Sequence, residues 1–245
     1  MNNERCGPKI GVLVPFTNCN LEPDMMAMCP PGCTMHFARM GGYDVDEIPG
    51  SEQMAGLGAS DISETLRLLS GVRPAAVLYG CTSATLTHGI GFDSELAARI
   101  KAGAGALSLT AAGSLVEGIT ALGATRVGFA SPYLGEINDQ AVTFLADGGI
   151  TVIKRADIGR ALGNYGQGEL TPEEVFDLAI QADHPDAQAI VLSCTDMRSV
   201  EAIERIEDRL GKPVVASNQA MIFALMRRLG FSKHPAVPGA LFDLL

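Results

Sequence analysis

Short unbroken apolar runs alternate with segments of helical periodicity along this chain of 245 residues. Because the runs are rich in β-branched residues and lack polar alternation, they predict strands that are buried on both faces, as in a parallel sheet. The predicted strands lie at 10–14, 75–79, 126–130, 150–153, 189–192 and 214–216. The predicted helices lie at 61–69, 93–102, 114–122, 138–145, 172–182 and 200–210. This alternation predicts an α/β fold.

Two pairs of segments resemble each other at nearly the same offset, which indicates a duplicated lobe. The strand IGVLVP at 10–15 matches RVGFASP at 126–132, and the loop of Cys81 matches the loop of Cys194. We predict two pseudo-symmetric Rossmann-like lobes, each a parallel sheet flanked by helices, with the active site in the cleft between them. The first predicted lobe comprises residues 1–113 with 214–245, and the second comprises 114–213.

Composition restricts the partners and the compartment. Hydrophobic residues make up 47% of the chain, which is ample for a packed core, and the net charge is −10. An acidic surface repels nucleic acid and anionic membranes, so we expect a small-molecule ligand and neither of those partners. No apolar stretch approaches the ~18 residues of a membrane span, and no apolar signal segment precedes the first strand, so we expect a cytoplasmic protein. Six cysteines in a chain of this length predict free thiols rather than a disulfide framework.

Cys81 and Cys194 each follow a predicted strand, in the sequences GCTSA at 80–84 and SCTD at 193–196. In parallel sheets, ligands bind beyond the carboxyl ends of the strands, where the next helix presents free backbone N–H groups. Such a helix end is expected to lower the pKa of a thiol from about 8.5 and to bind a carboxylate. The residues whose N–H groups are predicted to bind an anion are Thr82, Ser83, Thr195 and Asp196.

Two thiols on opposite sides of a cleft indicate a particular kind of chemistry. A substrate between them would be attacked or deprotonated on one side and protonated on the other. Racemisation and double-bond isomerisation both have that requirement.

Five short motifs, spread over most of the chain, occur together in a specific order. They are PFTNCNLE at 15–22, GCTSA at 80–84, SPYLGEIN at 131–138, LGNYG at 162–166, and SCTDMRS at 193–199 followed by GKPVVASNQA at 211–220. These motifs resemble those of the aspartate/glutamate racemase superfamily, and within it most closely the maleate cis-trans isomerases, which are related to arylmalonate decarboxylase. The resemblance implies that Asn18, Tyr133 and Asn164 bind the substrate.

The resemblance also implies a reaction. A small dicarboxylate, maleate, would be isomerised to fumarate without a cofactor or a metal. Cys81 as a thiolate would add to an alkene carbon, the new single bond would rotate, and elimination would release the trans isomer. Cys194 would either supply and remove a proton or only position the substrate, and both roles stay open. A homodimer or a larger homo-oligomer is implied as well.

Departures from neighbouring branches narrow the reaction. Amino-acid racemases of this superfamily usually have an aspartate-serine-glycine turn and a cysteine-asparagine-threonine loop, where this chain has PFTNCN at 15–20 and CTSA at 81–84. Arylmalonate decarboxylase has glycine in place of the first cysteine, so Cys81 disfavours decarboxylation. Racemisation of a small amino acid or hydantoin is the alternative enzymatic function. A non-enzymatic thiol redox or ligand sensor is a third reading of the cysteines.

Other polar and sulfur-containing residues receive structural interpretations. Cys29, Cys33 and His36 would share one face of a helix, but the intervening Pro-Pro-Gly breaks that helix, so a zinc site is disfavoured. His88 would lie roughly 10 Å along the predicted helix from Cys81 and is interpreted as structural.

Three features allow two interpretations each. The glycine-rich segment 159–171 is predicted to be a loop, either near the cleft or on the solvated surface. The segment 19–42 is rich in methionine and cysteine, and it is expected to form core or subunit contacts or, alternatively, a lid. Asp196 and Arg198 either tune the pKa of Cys194 or begin a solvated helix.

Overall fold

Two four-stranded parallel sheets form the framework of the protein, and the computed structural model describes residues 7–44 and 46–245. The first sheet has the order β2-β1-β3-β4, and its strands are β1 (Lys9–Pro15), β2 (Thr34–Met40), β3 (Ala76–Tyr79) and β4 (Leu107–Thr110). The second sheet has the order β6-β5-β7-β8, and its strands are β5 (Arg126–Ser131), β6 (Thr151–Asp157), β7 (Ala189–Leu192) and β8 (Val214–Ala216). The predicted α/β fold with two equivalent lobes is confirmed.

Helices connect the strands and cover the sheets, as parallel pairing requires. They are α1 (Leu21–Ala27), α2 (Ser51–Ala59), α3 (Ser63–Leu69), α4 (Ser83–Leu86), α5 (Ile90–Ala104), α6 (Ala111–Ala121), α7 (Gly135–Asp147), α8 (Gly166–Glu169), α9 (Pro172–Ala182), α10 (Ile203–Leu210) and α11 (Ser217–Leu229). Short 3₁₀ turns lie at Ser70–Val72, Val200–Ala202 and Ala240–Leu244.

The predicted internal repeat corresponds to the equivalent strands of the two sheets. The matching sequences at 10–15 and 126–132 form β1 and β5, which occupy the same place in the two strand orders. Every residue of β3 and of β7 is buried, so both strands read as unbroken apolar runs. Cys81 and Cys194 follow β3 and β7 at the same edge of each sheet.

The edge strand β2 was absent from the sequence prediction. Its sequence TMHFARM is partly exposed along most of its length and places His36 and Arg39 among apolar residues. An edge strand pairs on one side only and tolerates such residues, so the apolar run that identifies a central strand is missing.

The strand β8 corrects one detail of the predicted domain division. The prediction returned the chain to the first lobe at residue 214, but Val214–Ala216 pairs in parallel with β7 and belongs to the second sheet. The helix α11 that follows packs mainly against α6 and also contacts α1 and β4 of the first lobe. The remaining boundaries of the two lobes stay a prediction.

The segment 19–42 forms regular structure rather than a separate cover over the cleft. It contributes α1 and β2, with Met25 and Met28 completely buried in the core. Cys29 and Cys33 flank a turn, and His36 lies on β2 with its ring nitrogen bonded to Thr34. Within residues 7–44 and 46–245, no group of three His, Cys, Asp or Glu is arranged to hold a metal ion.

The described helices include none that is long and apolar enough to cross a bilayer. The sequence predicts that no signal segment precedes the first strand. Residues 1–6, on which that prediction partly falls, lie outside the described residues. The cytoplasmic location stays a prediction.

Gly128 allows β5 to pack closely against α9, and this contact generates a stability prediction. A Cβ at residue 128 would stand 2.3 Å from the carbonyl oxygen of Ala182. Gly128→Ala is therefore expected to lower the free energy of unfolding by about 1–3 kcal/mol, the usual cost of overpacking. Urea denaturation monitored by circular dichroism measures this change.

Gly91 provides the matched control, because a Cβ at that position in α5 would meet nothing within 4 Å. Gly91→Ala should raise the free energy of unfolding by about 0.4–1 kcal/mol. Equal stability of the two variants would contradict the close packing of β5 against α9.

Candidate active site

The carboxyl ends of β1, β3, β5 and β7 surround one cavity with about 430 Å³ of empty space, part of which opens to solvent. All the predicted site residues except Thr82 line this cavity. They are Asn18, Cys81, Ser83, Tyr133, Asn164, Cys194, Thr195 and Asp196. The structure therefore brings together residues that are far apart in sequence, as the two-lobe prediction requires.

Hydroxyl groups join the two cysteine loops across the cleft. The Thr195 hydroxyl donates to the carbonyl oxygen of Gly80 at 2.9 Å and accepts from Asn18 Nδ2 at 3.0 Å. On the first loop, the Thr82 hydroxyl donates to Ser217 Oγ at 2.9 Å. Thr82 thus directs its side chain toward the start of α11. The predicted substrate-binding residue Thr82 does not line the cavity.

Asp196 joins the second cysteine loop to the turn after β1. Its carboxylate accepts hydrogen bonds from the backbone N–H groups of Cys19 at 2.8 Å and Asn20 at 3.1 Å. The side chain of Asp196 is only 6% exposed, and burial raises its pKa. Arg198 instead pairs with Glu201 on the surface. The first of the two sequence interpretations therefore applies to Asp196, which is buried beside Cys194 and affects its pKa. Arg198 is solvated, as in the second interpretation.

Tyr133 is held between the two cysteine loops. Its backbone N–H donates to Ser131 Oγ at 3.2 Å, and Asn138 Nδ2 donates to its carbonyl oxygen, also at 3.2 Å. The buried Tyr133 hydroxyl lies close enough to the side chains of Cys194 and Ser83 for both to affect its pKa. Since Ser83 Oγ is 3.7 Å from Cys81 Sγ, one chain of polar groups connects the two thiols.

Burial raises the pKa of Cys194 to about 12, which corrects the expectation of a lowered value. The nearby carboxylate of Asp196 raises it further, while the Tyr133 hydroxyl and backbone N–H groups oppose the shift. No regular helix begins beside Cys194, because the next 3₁₀ turn starts at Val200. The expected helix dipole is therefore absent from this described loop.

Burial also raises the pKa of Cys81, again contrary to the sequence expectation. The backbone N–H groups of Ser83 and Ala84 and the Ser83 hydroxyl lower the pKa, but desolvation outweighs them. The helix α4 that follows spans only Ser83–Leu86, so few peptide dipoles align behind the thiol. Both cysteines are thus protonated thiols at neutral pH in the ligand-free protein.

Several cavity residues were missed by sequence reasoning, and most of them are apolar. Those residues include Phe16, Tyr43, Pro49, Met54, Leu57 and Gln167. Gln167 lies three residues after Asn164 in the predicted glycine-rich loop. Because Asn164 was predicted to bind the substrate, this closeness in sequence was the signal that could have identified Gln167. The placement of that loop near the cleft is confirmed, and Asn164 Nδ2 donates to the carbonyl oxygen of Glu47 at 2.7 Å.

His88 lies outside the residues that line the cavity. Its Nε2 is 2.8 Å from the carbonyl oxygen of Ala55, and its ring stacks on Phe92 with 4.0 Å between ring centres. These contacts agree with the structural interpretation of His88.

Neutral donors dominate the cavity. Among the described residues that line it, none is lysine, arginine or histidine, and Asp196 is the one residue with an ionisable carboxyl group. The hydroxyl and amide groups of Asn18, Ser83, Tyr133 and Asn164 are donors that suit a carboxylate. A bound dicarboxylate would therefore be held by hydrogen bonds rather than by ion pairs.

This chain belongs to the arylmalonate decarboxylase family, whose family model matches residues 10–242. Among individual proteins, it resembles the maleate isomerase of Nocardia farcinica, with 30% identity over 242 residues that cover 95% of this chain and 93% of that relative. The predicted membership of this group and the predicted isomerase class are confirmed.

Solved structures of related isomerases share the fold. The Nocardia farcinica maleate cis-trans isomerase bound to TRIS is 26% identical, has a TM-score of 0.86, and the match covers 96% of this chain and 98% of that one. A second structure of that enzyme, a cysteine-to-serine mutant with a covalently bound succinylcysteine intermediate, is 25% identical. It has a TM-score of 0.84, and the match covers 96% of this chain and 98% of that chain.

Asp24 is a half-buried residue behind the second cysteine loop. Asn218 Nδ2 donates to Asp24 Oδ2 at 2.7 Å and to the carbonyl oxygen of Thr195 at 2.9 Å. Burial raises the pKa of Asp24 to about 7, with Glu201 and Asp196 adding to the shift and the Asn218 bond opposing it.

The raised pKa of Asp24 predicts a pH-dependent stability. Because the pKa is about 7 in the folded state and 3.8 ordinarily, the folded protein binds this proton more tightly than the unfolded chain does. Protonated Asp24 contributes fully to the free energy of unfolding below about pH 4. This contribution is lost as the pH rises to about 7, by at most about 1.4 kcal/mol per pH unit. Asp24→Asn should flatten this dependence in urea denaturation between pH 5 and 7.5.

The control for this prediction is Asp208→Asn on the outer face of α10, which should leave the pH dependence unchanged. An Asp24→Asn variant with the wild-type slope would contradict the raised pKa of Asp24.

Proposed function

We propose that this protein is a cofactor-independent cis-trans isomerase of a small dicarboxylate, converting maleate to fumarate. The observation that carries the proposal is the pair of buried thiols, Cys81 and Cys194, on one cavity with neutral hydrogen-bond donors. The succinylcysteine in a related isomerase supports a covalent route through cysteine.

Binding places the carboxylates of maleate among hydroxyl and amide donors. Asn18 and Asn164 donate amide N–H groups, and Ser83 and Tyr133 donate hydroxyl groups. The net charge of −10 opposes an anion, but exposed charges beyond about 8 Å are largely screened at physiological salt. Fixed donors beside the substrate therefore outweigh the average charge of the surface.

Addition begins when the thiolate of Cys81 attacks one alkene carbon. A carbon–sulfur bond forms, the π bond breaks, and its electron pair moves to the neighbouring carbon beside a carboxylate. Cys194 gives its proton to that carbon and becomes a thiolate. The donors around the carboxylate stabilise this developing charge by roughly 3 kcal/mol each, as in oxyanion holes.

Rotation and elimination complete the reaction. The former double bond is now single, so the carboxylates rotate into the trans arrangement. Cys194 thiolate removes the proton, the double bond re-forms, and Cys81 leaves as a thiolate. The negative charge moves from Cys81 to the substrate carbon, then to Cys194, and finally back to Cys81, so charge is conserved and the enzyme regenerates itself. The homodimeric or larger assembly remains a prediction beside this proposal.

The direct test follows maleate and fumarate by proton NMR with the purified, reduced protein. Fumarate should form with the wild type and not with Cys81→Ala. Unchanged maleate would overturn the proposed substrate. Deuterium incorporation at the stereocentre of an amino acid or hydantoin would then support the racemase alternative, and activity gained on reversible disulfide formation would support a sensor.

Cysteine substitutions test the two thiol roles. Cys81→Ala and Cys194→Ser should each lower kcat by at least about 10²-fold, the lower end for loss of an acid or nucleophile. Thermal unfolding should remain cooperative, which separates the effect from misfolding. Cys19→Ser, at an exposed thiol outside the lining, is the matched control. Near-wild-type turnover in either active-site variant would contradict a two-thiol mechanism.

The raised thiol pKa values predict a rising pH–rate profile. Because the pKa of Cys81 lies above its ordinary value, the reactive thiolate is a small fraction at neutral pH and increases about tenfold per pH unit. The kcat/KM for maleate should therefore rise steadily from pH 6.5 to 8.5. A flat profile over this range would contradict attack by a thiolate formed from a high-pKa thiol.

A further inference from the structure

The thiol of Cys194 has a side-chain partner outside the motifs that predicted the site. Its sulfur donates to Gln167 Oε1, with 3.6 Å between the two atoms. Gln167 lies in α8 and lines the same cavity. None of the functions assigned above uses this glutamine.

Gly168 fixes the backbone next to Gln167 against the second cysteine loop. A Cβ at residue 168 would stand 2.9 Å from Asp196 Oδ2 and 3.0 Å from Asn20 Nδ2, so glycine permits this approach. Asn20 Nδ2 donates to the carbonyl oxygens of Gly168 at 3.0 Å and Asp196 at 2.7 Å. One asparagine therefore holds both α8 and the loop of Cys194, and it keeps the amide beside the thiol.

The hydrogen bonds of Cys194 divide between its two protonation states. The backbone N–H of Asp196, 3.3 Å from the sulfur, and the Tyr133 hydroxyl are donors that stabilise a thiolate. Gln167 Oε1 is an acceptor that stabilises the thiol. A carboxamide can serve both states, because rotation about its last bond exchanges the oxygen for Nε2, a donor.

We propose that Gln167 is a positioning residue for Cys194, holding it as a protonated thiol before proton transfer and as a thiolate afterwards. This role rests on the proposed isomerase function. During the addition step, the S–H bond of Cys194 breaks, the proton goes to the substrate carbanion, and the electron pair stays on sulfur. In elimination, the same thiolate takes the proton back, and the amide of Gln167 returns to accept from it.

The first test needs no substrate. Iodoacetamide alkylation of the Cys194 peptide is measured by mass spectrometry against pH in the wild type and in Gln167→Glu. A carboxylate beside the sulfur should raise the pKa of Cys194, slowing its alkylation at pH 9 by about tenfold and affecting Cys81 less. Tyr165→Phe, at an exposed neighbour in sequence, should match the wild type. An unchanged Cys194 profile in Gln167→Glu would overturn the contact.

The second test uses Gln167→Met, which keeps the length of the side chain and removes its hydrogen-bonding groups. If Gln167 positions the proton donor, kcat for maleate should fall at least about tenfold, part of the 10²–10⁴-fold value of acid–base catalysis, with KM within about twofold. A raised KM with unchanged kcat would assign Gln167 to uniform substrate binding and overturn the proposal. If the wild-type protein leaves maleate unchanged, the proposed isomerase function is wrong. The alkylation experiment still tests the contact between Gln167 and Cys194, because it needs no substrate.

Discussion

The hydroxyl of Thr195 is the contact on which the site depends, because it joins three strand ends from both lobes. It donates to the carbonyl oxygen of Gly80 and accepts from Asn18, and all three residues are buried. A buried polar group without a partner would cost about 1–3 kcal/mol, so these bonds fix one alignment of the sheets. That alignment brings Cys81 and Cys194 to the same cavity, with a second cross-link at Thr82 and Ser217.

Desolvation sets the chemistry of this cavity. The same burial that raises the pKa of both thiols would also strengthen the hydrogen bonds that Ser83 and Tyr133 donate to the proposed anionic substrate. A thiolate in this environment is scarce but poorly solvated, and therefore a strong nucleophile once it forms. The proposed reaction keeps one such charge at all times and moves it between sulfur and the carbon next to a carboxylate.

A layer of side chains outside the cavity maintains its shape. Asn20, Asn138 and Asn218 each donate to backbone carbonyl oxygens of the site segments. Amides suit this role because each supplies two donors and an acceptor without adding charge next to the cavity. Gln167 extends the same principle into the cavity, where its partner is the sulfur of Cys194.

The sequence by itself determined the fold class, the duplicated lobes and most of the polar residues that line the cavity. Those features depend on local patterns: unbroken apolar runs in β3 and β7, and polar motifs directly after the strands. The tertiary structure alone decided that β8 joins the second sheet, that both thiols have raised pKa values, and that Gln167 contacts Cys194. These properties arise from burial and from contacts between distant residues, and the order of residues in a chain does not encode either quantity locally.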